Sequence, residues 1–132
     1  MRLVIVGCSR VGAMVASMMA EAGHQVSVVD LNPKAFERLG KDFSGQMVLG
    51  NGIDEDVLRQ AGIEQADGFA SLTNGDNRNV MAAQIAREIF HVPKVITRIY
   101  DPIRENVFRE LGLNAICPTL IGAHEIHRLL KG

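Results

Sequence analysis

Two features of this chain have residue types and spacing suited to holding a phosphorylated ligand. The first is the turn Gly7-Cys8-Ser9-Arg10-Val11-Gly12. It follows the apolar run Leu3 to Val6 and opens a helical pattern at Val11, Met14, Val15, Met18, Met19 and Ala22. A strand that ends in a glycine turn and passes into a helix gathers free backbone N–H groups at one point. The helix dipole adds partial positive charge there, and such a point binds phosphate. The second feature is Asp30, which closes the apolar run Gln25 to Val29. It follows Gly12 at close to the ~20 residues expected of an acid that bonds a ribose hydroxyl.

The loop departs from G-x-G-x-x-G at Ser9, where the pattern has a glycine that lets backbone approach a pyrophosphate. A serine there would either crowd the ligand or donate one more hydrogen bond to it. Arg10 opposes the dipole of the helix it begins, so helix stability does not account for it, whereas a bound polyphosphate would. Taken alone, the loop also fits an ordinary strand-to-helix turn. Asp30 also fits an N-cap, although Asn32-Pro33 would serve the next helix better.

The remaining candidates are weaker. Cys8 sits beside Arg10, a setting that lowers a thiol pKa, but small-residue packing explains it as well. His124, Glu125 and His127 form H-E-x-H rather than the zinc spacing H-E-x-x-H, and they are expected on a solvated or subunit-facing helix. The charges from Lys34 to Arg38 and from Asp54 to Asp56 read as solvated helix faces.

The elements that must position these residues alternate regularly. Gly23 caps the first helix. Pro33 begins a second helix that runs to about Asp42. Gln46 to Leu49 is a third strand, ending in Gly50-Asn51-Gly52. Asn-Gly is also a hairpin signal, but the helical spacing of Val57, Leu58 and Ala61 makes this a strand-to-helix loop, and Gly62 ends that helix. Gly68 to Leu72 is a fourth strand. Asn74 or Asp76 is expected to cap the long helix that carries Val80, Met81, Ala83, Ile85 and Ile89. Lys94 to Ile99 is a fifth strand, a helix from Pro102 ends at Gly112, and Ala115 to Cys117 is a sixth strand. Pro118 leads a last helix, Leu120 to Leu130.

Six short apolar strands alternating with helices predict one α/β domain over residues 1–132, a doubly wound parallel Rossmann-type sheet. Ligands of such sheets bind outside the carboxyl ends of the strands. The residues there are Gly7 to Gly12, Asp30, Asn51, Gly52, Thr73, Asn74 and Arg98.

Composition narrows the class. The 132 residues are 47% hydrophobic and 22% charged, as in a soluble globular domain. A net charge of −1, no Trp and a single Tyr argue against a nucleic-acid surface. No apolar run reaches the ~20 residues of a membrane span. No signal peptide is read at Met1-Arg2. Two cysteines without metal spacing predict a cytosolic chain.

Several motifs recur together in a known family. They are Gly-x-x-Arg-Val-Gly at 7–12, Gly23-His24-x-Val26-x-x-Val29-Asp30, Gly50-x-Gly52, and Ala61-Gly62-Ile63-x-x-Ala66-Asp67. Thr73-x-x-Asp76-x-x-Asn79, Arg98 and Leu111-Gly112-x-x-x-Ile116-x-Pro118 complete the set. Over residues 1 to about 120 the chain resembles the nucleotide-binding lobe of Trk/Ktr potassium-uptake regulators, the TrkA N-terminal or RCK N-lobe.

The resemblance implies a cytoplasmic, non-enzymatic regulatory subunit. It would bind NAD or NADH, or alternatively ATP, ADP or AMP, and would gate a membrane potassium transporter from the cytoplasmic face. By position, Gly7-Cys8-Ser9-Arg10-Val11 would hold phosphates, Asp30 the ribose hydroxyls, Thr73 and Asn74 would flank the adenosine, and Arg98 would face the phosphates. Asn51 stands where the family often has Asp. Many members carry a second, carboxyl-terminal lobe, which would begin where this chain stops. The alternative reading is the cofactor-binding domain of an NAD-dependent oxidoreductase, which would need a substrate pocket and a proton donor.

The terminal helix gives a further expectation. Leu120, Ile121, Ile126, Leu129 and Leu130 spread beyond the ~100° stripe that one buried face needs. They either pack on this domain's own sheet or cross to a partner. A homodimer through residues 118–130, or a ring built from such dimers, is expected.

Overall fold

A computed structural model describes residues 1–132 throughout. The strands are β1 (Arg2–Val6), β2 (Gln25–Asp30), β3 (Gln46–Leu49), β4 (Gly68–Ser71), β5 (Lys94–Arg98) and β6 (Asn114–Ile116). The helices are α1 (Arg10–Glu21), α2 (Glu55–Gln60), α3 (Asp76–Gln84), α4 (Pro102–Glu110) and α5 (Pro118–Lys131). All strand pairs are parallel, and the order across the sheet is β3-β2-β1-β4-β5-β6.

Alternation along the strands divides the core between two faces, as the period of two requires. In β1, Ile5 joins Val26, Val28, Ala13 and Ala16 under α1, while Val4 and Val6 join Leu58, Phe69 and Ala83 under α2 and α3. The crossovers from β1 to β3 therefore cover one face and the later ones cover the other. The direction of winding reverses between β1 and β4, which opens a crevice at their carboxyl ends.

Local details differ from expectation in three places. Residues Pro33–Leu39 wind as a 3-10 helix that stops at Gly40 (φ 78°), short of Asp42. The spacing of Ala35, Phe36 and Leu39 suits a period of three as well as 3.6 over so short a run. The helix begun by α3 ends in a π turn, Ile85–Ile89, in which the Phe90 N–H donates to the Ile85 carbonyl at 3.2 Å. Third, neither Asn74 nor Asp76 caps α3. Its N-cap is Gly75, with no side-chain bond. The Asp76 carboxylate turns outward instead and accepts from the N–H groups of Tyr100 (2.7 Å) and Asp101 (3.2 Å), tying the β5–α4 loop to the start of α3.

No residue of α5 is buried, so it does not pack its apolar side on this sheet. No helix is long and apolar enough to cross a membrane.

Candidate nucleotide site

The crevice at the switch point is a cleft of about 720 Å³. Its floor is the β1–α1 turn. Gly7 has φ 105°, a left-handed conformation costly for any other residue. A Cβ there would lie 2.6 Å from the Thr73 nitrogen, so the two central loops touch backbone to backbone. Gly12 lets α1 approach the turn, since its Cβ would lie 2.0 Å from the Gly7 carbonyl oxygen.

Ser9 resolves the apparent defect in the glycine pattern. It is the N-cap of α1: its hydroxyl accepts from the Gly12 N–H at 3.2 Å and donates to the Leu72 carbonyl at 2.7 Å. The side chain is thus committed to the protein, binding β4 to α1. A cap of this kind contributes roughly 1 kcal/mol.

Asp30 lines the cleft from the end of β2. Its carboxylate accepts from the N–H groups of Cys8 and Asn32, both at 2.8 Å. The thiol of Cys8 is fully buried and donates to the Ala35 carbonyl at 3.2 Å. Burial, with Asp30 adding to it and Arg38 opposing it, pushes the thiol up to about 11. Cys8 is therefore a packed, protonated residue, not an activated nucleophile.

The opposite wall, Thr73 to Arg78, is held by Asn79, which is 0% exposed. Asn79 Nδ2 donates to the carbonyls of Thr73 and Arg98, both at 2.9 Å. Its Oδ1 accepts from the Thr73 N–H (2.8 Å) and hydroxyl (2.6 Å). Beneath it the Ser71 hydroxyl bonds the Asn79 carbonyl and Thr97 Oγ1, both at 2.7 Å. The buried side chains of Ser71, Asn79 and Thr97 all have partners, the condition under which such a network rigidifies a loop.

Of the residues expected in the site, Gly7, Cys8, Ser9, Asp30, Gly52, Thr73 and Asn74 line one cleft. Arg10, Val11, Gly12, Asn51 and Arg98 do not. Arg10 stands exposed at the start of α1 and makes no contact with a carboxylate. Val11 packs into the core below α1, and Asn51 folds back to accept from the Ile53 N–H at 3.1 Å.

Arg98 is buried under the β4 loop, where its Nη2 donates to the carbonyls of Leu72 and Thr73 at 3.0 and 2.9 Å. Its guanidinium carbon lies 4.6 Å from the Tyr100 ring centroid, and its Nε has no partner. Burial pulls this guanidinium below its ordinary value, with Tyr100 and Asp76 opposing. Arg98 supports the wall from behind rather than facing the cleft. Strand order also sets Asp30 and the Thr73–Asn74 pair on opposite sides of the glycine turn.

Among the lining residues that were not legible as site residues are three arginines, Arg38, Arg78 and Arg104. Arg38 donates to the Cys8 carbonyl at 3.0 Å, and Arg104 donates to Asn77 Oδ1. None of the three makes an ion pair, whereas Arg59, Arg87, Arg109 and Arg128 all do. Arg78 and Arg104 lie in the first turns of helices that follow strand ends, the one signal that could have found them. Arg38 gave no local signal. It sits in a charged run, and only tertiary packing brings it under Cys8.

A parallel sheet in the order 3-2-1-4-5-6, with a glycine turn and a terminal acid at its switch point, defines a Rossmann-type nucleotide-binding fold. Residues 3–118 match the TrkA-N domain, and the chain belongs to that family. The Trk system potassium uptake protein TrkA of Streptomyces coelicolor is 45% identical over 130 residues. That alignment covers 98% of this chain and 58% of the relative, so the chain spans little more than half of that protein's length.

Among solved structures, the Shewanella denitrificans Kef CTD in its AMP-bound form superposes with a TM-score of 0.83 at 20% identity, covering 100% of this chain and 83% of the other. The GsuK channel bound to NAD superposes with a TM-score of 0.72 at 20% identity, over 89% of this chain and 21% of that one. At such identities the likeness is one of fold.

Proposed function

We propose that this chain is the nucleotide-sensing domain of a regulator of potassium uptake. The observation that carries the reading is the cleft at the switch point. Its floor is a glycine turn beside a carboxylate, and its walls carry three arginines with no carboxylate of their own. Unpaired guanidinium groups around a phosphate cradle are matched by a polyanion. Two fold relatives carry AMP and NAD, and the S. coelicolor relative is a potassium uptake protein.

In this reading Asp30 accepts from ribose hydroxyls, and the Gly7–Ser9 turn with Arg38 meets the phosphates. Leu31, which is exposed beside Asp30, offers the adenine an apolar side. Binding requires the Cys8 N–H to be shared between Asp30 and the ligand. The exposed apolar side of α5 joins a second copy, and the assembly acts on a membrane potassium transporter from the cytoplasmic face. A ligand shifts such an assembly only by binding its two arrangements unequally.

Calorimetry with NADH, NADPH, ATP, ADP, AMP and adenosine tests the site. The adenine nucleotides should bind and adenosine should bind far more weakly. NADH should exceed NADPH by about tenfold or more, because a 2′-phosphate would meet the Asp30 carboxylate (about 1.4 kcal/mol per tenfold). Absence of heat with every nucleotide would overturn the reading, and equal affinity for NADH and NADPH would overturn the role given to Asp30.

A further inference from the structure

We infer that Asn74 is a site of self-modification: its side-chain amide closes onto the Gly75 backbone nitrogen, loses ammonia, and is hydrolysed to a carboxylate that pairs with the buried Arg98. Asn74-Gly75 lies in the β4 loop, where Asn74 is exposed to the water that the hydrolysis consumes. Asparagine followed by glycine is the sequence in which this ring closes with least hindrance, because glycine puts no Cβ beside the attacking nitrogen. The same dipeptide occurs at Asn51-Gly52. The two differ in what surrounds the amide oxygen.

Two donors polarise the Asn74 amide. The Tyr100 hydroxyl donates to Oδ1 at 3.1 Å, and Arg98 Nη2 donates to it at 3.3 Å. A guanidinium group accepts no hydrogen bond, so the atom that faces it is the amide oxygen and not the nitrogen. When a nitrogen adds to Cγ, negative charge collects on that oxygen, and donors already aimed at it lower the barrier. Asn51 has neither donor. Its Oδ1 accepts from the Ile53 N–H at 3.1 Å. Gly52 beside it is buried, and a Cβ there would lie 2.2 Å from Val6 Cγ1, so that backbone has no room to turn.

Water is the only other reactant. The Gly75 N–H gives its proton to solvent, its nitrogen bonds to Cγ of Asn74, and the bond from Cγ to Nδ2 breaks as that nitrogen takes up a proton and leaves as ammonia. Water then opens the ring at one of its two carbonyls, leaving aspartate or isoaspartate. The Gly75 N–H donates to Thr73 Oγ1 at 3.2 Å, and this is the bond that must open first. The product has a partner in place. Arg98 is buried, donates only to the carbonyls of Leu72 and Thr73 and to the Asn74 amide, and makes no ion pair. A buried cation without a counter-ion is costly, and a carboxylate at position 74 supplies one. Asn74 lines the cleft, so each modified copy also carries one more negative charge on the cleft wall.

Ageing the full chain at neutral pH and following both asparagines by peptide mass mapping tests this. Asn74 should convert at least about tenfold faster than Asn51. Tyr100→Phe, which keeps a ring beside Arg98, should slow Asn74 by about tenfold and leave Asn51 unchanged. Gly75→Ala should stop conversion at 74 with the fold intact, since Gly75 has φ −116° and a Cβ there would meet Arg78 Cβ at 3.7 Å, an ordinary contact. Asn74→Asp, the product made genetically, should unfold at higher urea than wild type, by a margin that shrinks as salt is raised. Equal rates at 74 and 51, a Tyr100→Phe rate equal to wild type, or a lower urea midpoint for Asn74→Asp would overturn the inference. Should Tyr100→Phe unfold, the ratio of the two rates in wild type and the Asn74→Asp midpoint still decide it.

Discussion

The β4 loop and helix α5 lie at opposite ends of one design choice. Behind the loop, Asn79 fills its donors and acceptors with four bonds to Thr73 and Arg98, and Ser71 and Thr97 pair beneath it. In α5 no residue is buried, and Ile121, Ile126, Leu129 and Leu130 range from 56% to 83% exposed. The surface proposed to meet a small ligand is finished by the chain itself. The surface that would meet another macromolecule is left unfinished. In a sensor the two need opposite properties: a preorganised site loses little on binding, while an interface must be able to take up two arrangements.

The comparison can be broken most directly at Asn79. Asn79→Ala strands the Thr73 N–H, takes one of two donors from the Thr73 carbonyl and the Asn79 donor from the Arg98 carbonyl, and should cost about 3 kcal/mol or more in urea unfolding. A cost below about 1 kcal/mol would mean the loop is not held by this network. At the other end, Leu129→Asp with Leu130→Asp should leave the unfolding free energy of the isolated domain within about 0.5 kcal/mol of wild type. The same pair should lower the mass found by light scattering from dimer to monomer. A wild-type monomer at micromolar concentration would remove the role assigned to α5.

The smallest effect concerns Cys8. Its thiol is raised in the fold, so the folded state keeps a proton that the unfolded chain gives up first. Stability is complete below the unfolded thiol value, falls as pH rises above about 9, and has lost this contribution by about 11. Cys8→Ala should flatten that part of the stability–pH curve, and an unchanged slope would contradict the burial argument.

Much of this structure was legible from residue order alone. Glycines at 23 and 62 and the alternating apolar strands mark the elements, and the carboxyl-end rule collects seven of the lining residues. What escaped is what depends on tertiary partners. Ser9 looks like a flaw in a glycine motif until Leu72 arrives to accept its proton. Asp76 has the type and place of a helix cap, yet the β5–α4 loop claims both its oxygens. Arg98 sits at a strand end but points behind the wall, because the β4 loop offers carbonyls there. The π turn at 85–89 is one turn at the end of its helix, too short a run for its change of period to show in the residue pattern.

The pairing of β1 with β4, Leu3 beside Gly68, has a consequence for how the domain is made. β1 leaves the ribosome long before β4 does, and a chain grows at roughly 5–20 residues per second. For several seconds, by that rate, the most apolar strand of the sheet has β2 on one side and an open hydrogen-bonding edge on the other. Parallel pairing over such a separation is slow even in a finished chain. The cleft is formed by the same event that closes that edge. A nascent domain therefore acquires its cleft and its protection from aggregation together, and any ligand that binds the proposed site would favour both.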